Sequence, residues 1–341
     1  MTTIYSRAPL RLSLSGGGTD IKSFSDKHEG VVINFTINKY VYTKIKAQTK
    51  NKVTFISNDL GINECFNTPL KNIKNSKLVL HQATYLKIMK LFNNDECLPL
   101  QVETLCENPP GSGLGTSSAL VVSMIKAYDE MLNLQLPKHQ IASLAYEIER
   151  IDCNYSGGQQ DQYASSYGGF NYMQFKKNGD VVVDALRLEK HTIVQIEQKA
   201  FIYFSGVSRD SSRIISDQKE GFEKKNNILN NIKKIKKEAI KQKKILMNFN
   251  LKKLVNSINR QWILKKNTSK KISNSYIDSI MNLAIQNGAL CGKVSGAGGG
   301  GFFLFIVNDP ERLKLKKILT NKNGYVENFQ ITFEGAFSWK E

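Results

Sequence analysis

The residues Asn108 to Ala119 read NPPGSGLGTSSA, between a strand-like stretch that ends at Leu105 and a helical stretch that begins near Ser117. Glycines at alternate positions 111, 113 and 115 let the backbone approach an anion closely. The start of a helix adds unpaired N–H groups and the positive end of its dipole. Such a segment can cradle a phosphate. No lysine follows Gly115, so it is not a Walker A loop, and Thr116 and Ser117 occupy the later positions of a GxGxxG pattern. A Gly-rich turn capped by Ser117 or Ser118 is the plainer account of this stretch taken alone.

A second glycine cluster, KVSGAGGGGFF from Lys293 to Phe303, contains a formal GxGxxG from Gly296 to Gly301. A dinucleotide fingerprint needs a helix after it, whereas Phe302 to Val307 reads as a strand, so the Rossmann reading fails. Five glycines in six residues leave a backbone able to close tightly over a ligand or over a neighbouring loop, which a simple hairpin does not require.

Carboxylates and guanidinium groups accompany these loops. SGGQQDQY, Ser156 to Tyr163, puts Asp161 just inside a helix start, and Glu149 lies twelve residues earlier at the end of another helix. Phosphoryl transfer uses one carboxylate to take a hydroxyl proton and another to hold magnesium. Taken alone, a carboxylate in the place of Asp161 is more often an ordinary helix-start residue. In RAPLRLSLSGGGTD, Arg7 and Arg11 lie two strand alternations apart and share a face with Pro9, leading into a Gly-rich turn and Asp20. The pair suits recognition of an anion and of hydroxyls, or else marks an exposed edge strand. Arg209 and Arg213, in GVSRDSSR, follow the strand-like run Phe201 to Ser205 and open a long helix, a further place suited to an anion. The competing reading pairs them with Asp210 or Asp217 on a solvated face.

The elements that must position these groups are legible in outline. Tyr5 to Leu14, Val31 to Ile37, Tyr40 to Ala47 and Val53 to Ser57 are rich in β-branched and aromatic residues and read as strands. Leu78 to Phe92, Ser117 to Leu132 and Gln140 to Arg150 have helical spacing, and Leu98 to Leu105 alternates. Phe170 to Phe175 and Val181 to Leu188 form a hairpin across Lys177 to Asp180, and from Ala200 onward strands and long helices follow in turn. The expectation is an α+β chain of two packed domains, residues 1–190 and 191–341, with no Pro/Gly/Ser linker between them.

Composition excludes several classes. Of 341 residues, 48 are Lys or Arg and 30 are Asp or Glu, a net charge of +18. Only eight of the basic residues are Arg, and in KKNNILNNIKKIKKEAIKQKKIL the residues Ile228, Leu229, Ile232 and Ile235 take the inner face of a helix, leaving lysines in solvent without interleaved aromatics. Nucleic-acid binding is not expected, and the surface charge serves to attract an anionic substrate. No apolar run approaches the roughly 20 residues that cross a bilayer. The first residues lack the pattern of a secretory signal, which points to a cytoplasmic protein. Five scattered cysteines and four scattered histidines show no zinc or redox spacing.

APLRLSLSGGGTD, PPGSGLGTSSA and KVSGAGGGGFF resemble, in order and spacing, the three motifs of the GHMP kinases, named for galactokinase, homoserine kinase, mevalonate kinase and phosphomevalonate kinase. Within that superfamily, SGGGTD and GGQQDQYASSYGG look like the D-glycero-D-manno-heptose 7-phosphate kinases rather than the galactokinases, whose first motif carries a GEHTD-like turn. The resemblance spans nearly the whole chain. It implies an N-terminal domain like the second domain of a ribosomal small-subunit protein and a ferredoxin-like C-terminal domain, with ATP and a small-molecule sugar phosphate meeting between them. By the same resemblance, Pro110, Gly111, Ser112, Gly113, Leu114, Gly115, Thr116, Ser117 and Ser118 would bind the nucleotide. Ser117 or Ser118 with Glu149 would ligate Mg²⁺, Asp161 would be the base, and Arg11 would lie by the transferred phosphoryl group. Gly17, Gly18, Thr19 and Asp20 would bind sugar hydroxyls, and Arg7, Arg209 and Arg213 are the candidates for a phosphate on the acceptor. Rival readings are a kinase of an unphosphorylated hexose such as fucose or galactose, and a sugar-sensing relative without turnover. Homodimer formation is left open.

Overall fold

The computed structural model describes residues 2–49, 51–68, 75–208 and 211–341. In chain order the elements are β1 (Thr3–Ser15), α1 (Lys22–His28), β2 (Gly30–Ala47), β3 (Lys52–Ser57), β4 (Ile62–Asn67), α2 (Val79–Phe92), β5 (Leu100–Cys106), α3 (Thr116–Leu132) and α4 (Lys138–Tyr146). A π-helical turn, Glu147–Asp152, leads to α5 (Gln160–Tyr167), β6 (Phe170–Phe175) and β7 (Val181–Ala185). Then come α6 (Lys190–Lys199), β8 (Ala200–Phe204), α7 (Ser211–Lys224), α8 (Asn226–Met247), α9 (Leu251–Lys266) and α10 (Ser275–Gln286). The chain closes with β9 (Ala289–Val294), β10 (Phe302–Val307), α11 (Asp309–Thr320), β11 (Tyr325–Glu327) and β12 (Phe337–Lys340).

The first sheet runs β12-β1-β2-β5-β3-β4, with β6 on β2 and β7 on β6. Only β3 and β5 pair in parallel among its described ladders; the others are antiparallel. Ile4, Ala8, Leu10, Leu12 and Leu14 are buried at alternate positions of β1, as one face of a strand must be when it packs on a helix. That helix is α3, and Ser123 joins it to the sheet: Ser6 Oγ donates to the Ser123 carbonyl at 2.7 Å, and Thr43 Oγ1 meets Ser123 Oγ at 2.9 Å.

Where the sequence suggested two strands, Val31 to Ile37 and Tyr40 to Ala47, β2 is continuous with a bulge. Its register steps from Tyr40 opposite Pro9 to Ile37 opposite Leu10, which leaves Asn38 and Lys39 extra. Proline cannot donate to a ladder, and the irregularity falls beside Pro9. The helix expected over Gln140 to Arg150 also changes form, becoming π-helical from Glu147.

The second sheet runs β11-β8-β10-β9, all antiparallel. Every residue of β8 and β10 is buried. Phe201, Tyr203, Phe303 and Phe305 pack with residues of α10 and α11, while Ile202, Phe204, Phe302, Leu304 and Ile306 belong to the same apolar core as β1, α3 and α9. The two sheets therefore share a core. After β11 the chain returns to the first sheet: Phe329 packs on Phe35 with ring centroids 5.7 Å apart, Ile331 bridges Ile37, and β12 pairs with β1. Residues beyond 191 thus contribute to both sheets.

The Lys-rich α8 buries Ile232, Ile235, Ala239 and Leu246, with Ile228 and Leu229 partly buried against Phe24 and Phe222. Its lysines do line the solvated face, among the described residues. No described helix is long and apolar enough to cross a membrane, and the five cysteines are free thiols.

His81 joins α2 to β5, its Nε2 lying 2.8 Å from Thr104 Oγ1 in the interior. Burial pushes the imidazole from its ordinary 6.5 down to about 4. The folded state therefore resists a proton that the unfolded chain accepts. The stability from keeping His81 neutral is full above about pH 6.5 and is lost as pH falls toward about 4, a span worth roughly 3 kcal/mol. Urea midpoints measured from pH 7.5 to 4.5 are expected to fall less steeply for His81→Gln than for the natural chain.

Candidate active site

The loop expected to cradle a phosphate holds three glycines in the left-handed region, Gly111 at φ +73°, Gly113 at +85° and Gly115 at +81°. Gly115 caps α3, so the first turn of this long helix opens toward the loop with its N–H groups. The second glycine cluster backs the first. Phe302 N–H donates to the Ser112 carbonyl at 2.9 Å and Ser295 Oγ donates to the Gly113 carbonyl at 2.9 Å. A Cβ at Gly301 would lie 2.3 Å from the Ser112 oxygen, and one at Gly296 2.8 Å from that of Gly113. Of the two roles open to this segment, closing on a neighbouring loop is the one observed.

Arg11 grips the same loop twice. Its backbone N–H donates to the Leu114 carbonyl at 3.0 Å, and Nη1 donates to the Gly113 carbonyl at 2.6 Å. Its Nε and Nη2 donate to the two oxygens of Asp161 at 2.7 and 2.8 Å, a bidentate pair. Asp161 sits in the first turn of α5, and its carboxyl carbon lies only 3.3 Å from where a Cβ would stand on Gly115. A carboxylate is thus held against the cradle.

Glu149 is fully buried in the π-helical turn. Its Oε1 accepts from Ser117 Oγ at 2.6 Å and lies 3.0 Å from Arg150 Nη1, while Oε2 accepts from Ser118 Oγ at 2.6 Å and Gln162 Nε2 at 2.7 Å. Asp20 accepts from Gly18 N–H at 3.0 Å and from both the backbone and the side chain of Gln160 at 3.2 Å. Burial first, and then the negative charge of Asp161, raise the Asp20 carboxyl above the ordinary carboxylate value, against the pull of these donors.

These groups surround a cavity of about 390 Å³. Arg11, Gly17, Gly18 and Asp20 line it from the first motif, Pro110 to Gly113, Gly115, Thr116 and Ser117 from the second, and Gln160 and Asp161 from α5. Several expected binders lie elsewhere. Arg7 is not in the lining: it donates to Glu334 at 2.9 Å and stacks over Tyr40. Thr19 turns inward, its hydroxyl donating to the Val31 carbonyl and accepting from Val31 N–H, both at 2.9 Å. The Leu114 side chain belongs to the core, and Ser118 and Glu149 stand behind the wall. Arg213 is exposed on α7 and outside the lining, and Arg209 lies outside the described residues.

Sequence reasoning missed Arg150, Gln160, Gln162, Lys265 and the role of Lys293. The glutamines stand in the quoted QQDQ, where amide donors beside a carboxylate were the available signal. Lys293 is buried and donates to the carbonyls of Ser13 at 2.6 Å and Leu14 at 3.1 Å. Its ammonium is far less basic than usual because of burial, to which the charges of Lys265 and Arg11 add. Nothing in the local spacing sends Lys265 from α9 into this cavity.

Residues 79–169 match the GHMP kinases N terminal domain and residues 232–325 the GHMP kinases C terminal domain. The chain is 40% identical over its full length, and over all of the relative, to the D-glycero-alpha-D-manno-heptose 7-phosphate kinase of Campylobacter jejuni. Among solved structures it is similar to a putative sugar kinase from Campylobacter jejuni, at TM-score 0.82 and 38% identity over 99% of this chain and 98% of that one. It is also similar to a D-glycero-D-manno-heptose 1-phosphate kinase from Bacteroides thetaiotaomicron, at TM-score 0.83 and 32% identity over 99% of both chains. The chain belongs to the GHMP kinases and has their two-domain α+β fold.

Gly115→Val places its Cβ against Asp161 at a positive φ, where a branched side chain is strained. ATP affinity by calorimetry is expected to fall about tenfold or more, with the far-UV circular dichroism of the folded chain retained.

Proposed function

We propose that this chain transfers the γ-phosphoryl group of ATP to the anomeric hydroxyl of D-glycero-D-manno-heptose 7-phosphate, giving the 1,7-bisphosphate. The observation that carries the chemistry is the Arg11 guanidinium, which binds Asp161 through two N–H groups and the cradle carbonyl of Gly113 through a third. It joins a proton acceptor to a phosphate site within one cavity. The full-length similarity to a heptose 7-phosphate kinase supports the choice of acceptor over fucose or galactose.

The N–H groups of the cradle and of the first turn of α3 bind the nucleotide phosphates. Asp161, oriented by Arg11, takes the proton of the attacking hydroxyl at a carboxylate oxygen, and the guanidinium stays beside the charge that develops on the transferred group. Asp20 accepts hydrogen bonds from sugar hydroxyls at the other end of the cavity.

For Mg²⁺, the donor set favours a cation held mostly by phosphate oxygens and water. Among the described residues no cluster of three His, Cys, Asp or Glu could hold a metal. The four donors on Glu149 occupy about all of its lone-pair positions, and Ser118 is fully buried. Ser117, at the cavity wall with its proton on Glu149, keeps its lone pairs for a ligand and is the protein group that would hold the ion. When bound, the ion would neutralise phosphate charge during transfer. A cytoplasmic location belongs to the same proposal.

A coupled assay with heptose 7-phosphate, fucose, galactose, mevalonate and homoserine tests the reading, with heptose 7-phosphate expected to give the highest kcat/KM. Equal or better turnover of a hexose would overturn it. Asp161→Asn is expected to leave ATP affinity close to that of the natural chain while lowering kcat by about 10²- to 10⁴-fold; near-normal turnover would remove Asp161 from proton transfer.

A further inference from the structure

The loop between the π-helical turn and α5 carries two consecutive glycines, Gly157 and Gly158, and neither takes a left-handed φ. Each makes room for a charged side chain instead. A Cβ on Gly158 would stand 1.9 Å from Asp20 Oδ2, and one on Gly157 would stand 2.2 Å from Arg150 Cζ and 2.4 Å from its Nε. The loop is thus fitted to a carboxylate at one residue and to a guanidinium at the residue before it.

Arg150 stands at the cavity wall with its side chain only 9% exposed. On the side of α3 its Nη1 lies 3.0 Å from Glu149 Oε1 and its Nη2 donates to Ser118 Oγ at 3.3 Å, while Nε donates to the Gly158 carbonyl at 3.3 Å. The two sides differ in how else they are held. Glu149 also accepts from Ser117, Ser118 and Gln162, so the start of α3 keeps its partners without the arginine. The other side is irregular backbone over residues 154–158, and it leads directly into Gln160, which donates to Asp20 from both its backbone and its side chain, and into Asp161. Three contacts in different directions need the fixed fork of a guanidinium.

We propose that Arg150 is a positioning residue for the acceptor: braced on Glu149 and Ser118, it holds the loop of residues 156–158 where Gly158 seats the Asp20 carboxylate and Gln160 donates to it. This rests on the reading that Asp20 accepts hydrogen bonds from hydroxyls of the acceptor. Gly157 is its counterpart, because a Cβ there would take the place of the guanidinium. Loss of the brace leaves the glycine cradle with its own contacts and frees the loop behind Asp20, so its effect falls on the acceptor rather than on the nucleotide.

Steady-state kinetics on the natural chain, Arg150→Ala, Gly157→Ala and the double variant test this, together with calorimetry of a non-hydrolysable ATP analogue. Arg150→Ala is expected to raise the KM for heptose 7-phosphate by about tenfold or more, the size of one lost hydrogen bond from a charged group, while affinity for the ATP analogue stays within about threefold. Gly157→Ala keeps the arginine but displaces it, and should raise the same KM. In the double variant the two losses are expected not to add, since both remove one contact. Additive losses, equal losses for acceptor and ATP analogue, or an unchanged acceptor KM in the single variants would overturn the inference. Gly157→Ala supplies the answer if Arg150→Ala does not fold. If the coupled assay selects a different sugar, the proposed acceptor falls, and the same split between acceptor and nucleotide is read with that sugar, so the two failures are told apart.

Discussion

The buried guanidinium of Arg11 is the interaction around which the site is arranged. A charge at 3% exposure is tolerated only when its donors are met, and Arg11 meets them with both oxygens of Asp161 and the Gly113 carbonyl. Its backbone N–H holds Leu114 as well, so a single residue of β1 sets the distance between phosphate loop and carboxylate. The long β1–β2 ladder and the α3 contacts at Ser123 make that strand a rigid base. Asp161 can stand against Gly115 because the cap has no Cβ.

The second sheet completes the site from behind. Its glycine loop packs backbone on backbone against the cradle, and Lys293 carries an ammonium through the interface to the carbonyls of Ser13 and Leu14. Because β8 and β10 share a core with β1 and α3, the two halves of the cavity are joined by apolar burial as well as by these polar contacts. The cavity is thus a product of the interface between domains.

Glu149 shows how a buried carboxylate can act through other groups. Four donors surround it, two of them the serine hydroxyls at the start of α3, and the π-helical turn brings Arg150 alongside. A π turn is an irregularity often found at functional sites. Here it also places Arg150 Nε 3.3 Å from the Gly158 carbonyl, in the loop whose Gly158 leaves room for Asp20. The start of α3 and the turn that carries Asp20 are mechanically linked.

Much of this was readable beforehand, and for physical reasons. Alternating glycines before a helix, strand alternation in β1, the hairpin of β6 and β7 and the inward isoleucines of α8 are local patterns, and local patterns survive in a linear sequence. The motifs that carry the family resemblance come together in the fold, with the cradle, Arg11, Asp20 and Asp161 lining one cavity. What depends on approach between distant segments was not readable. The spacing of Arg7 and Arg11 on one strand could not show that Glu334 and Tyr40 claim the first while Asp161 claims the second. Thr19 read as a sugar-binding residue from the turn it stands in, but its hydroxyl is consumed by Val31. Lys265 reads as one more surface lysine of a basic helix. Only the packing of α9 across the turn after β1 brings its side chain into the cavity lining, 3.5 Å from where a Cβ on Gly17 would stand.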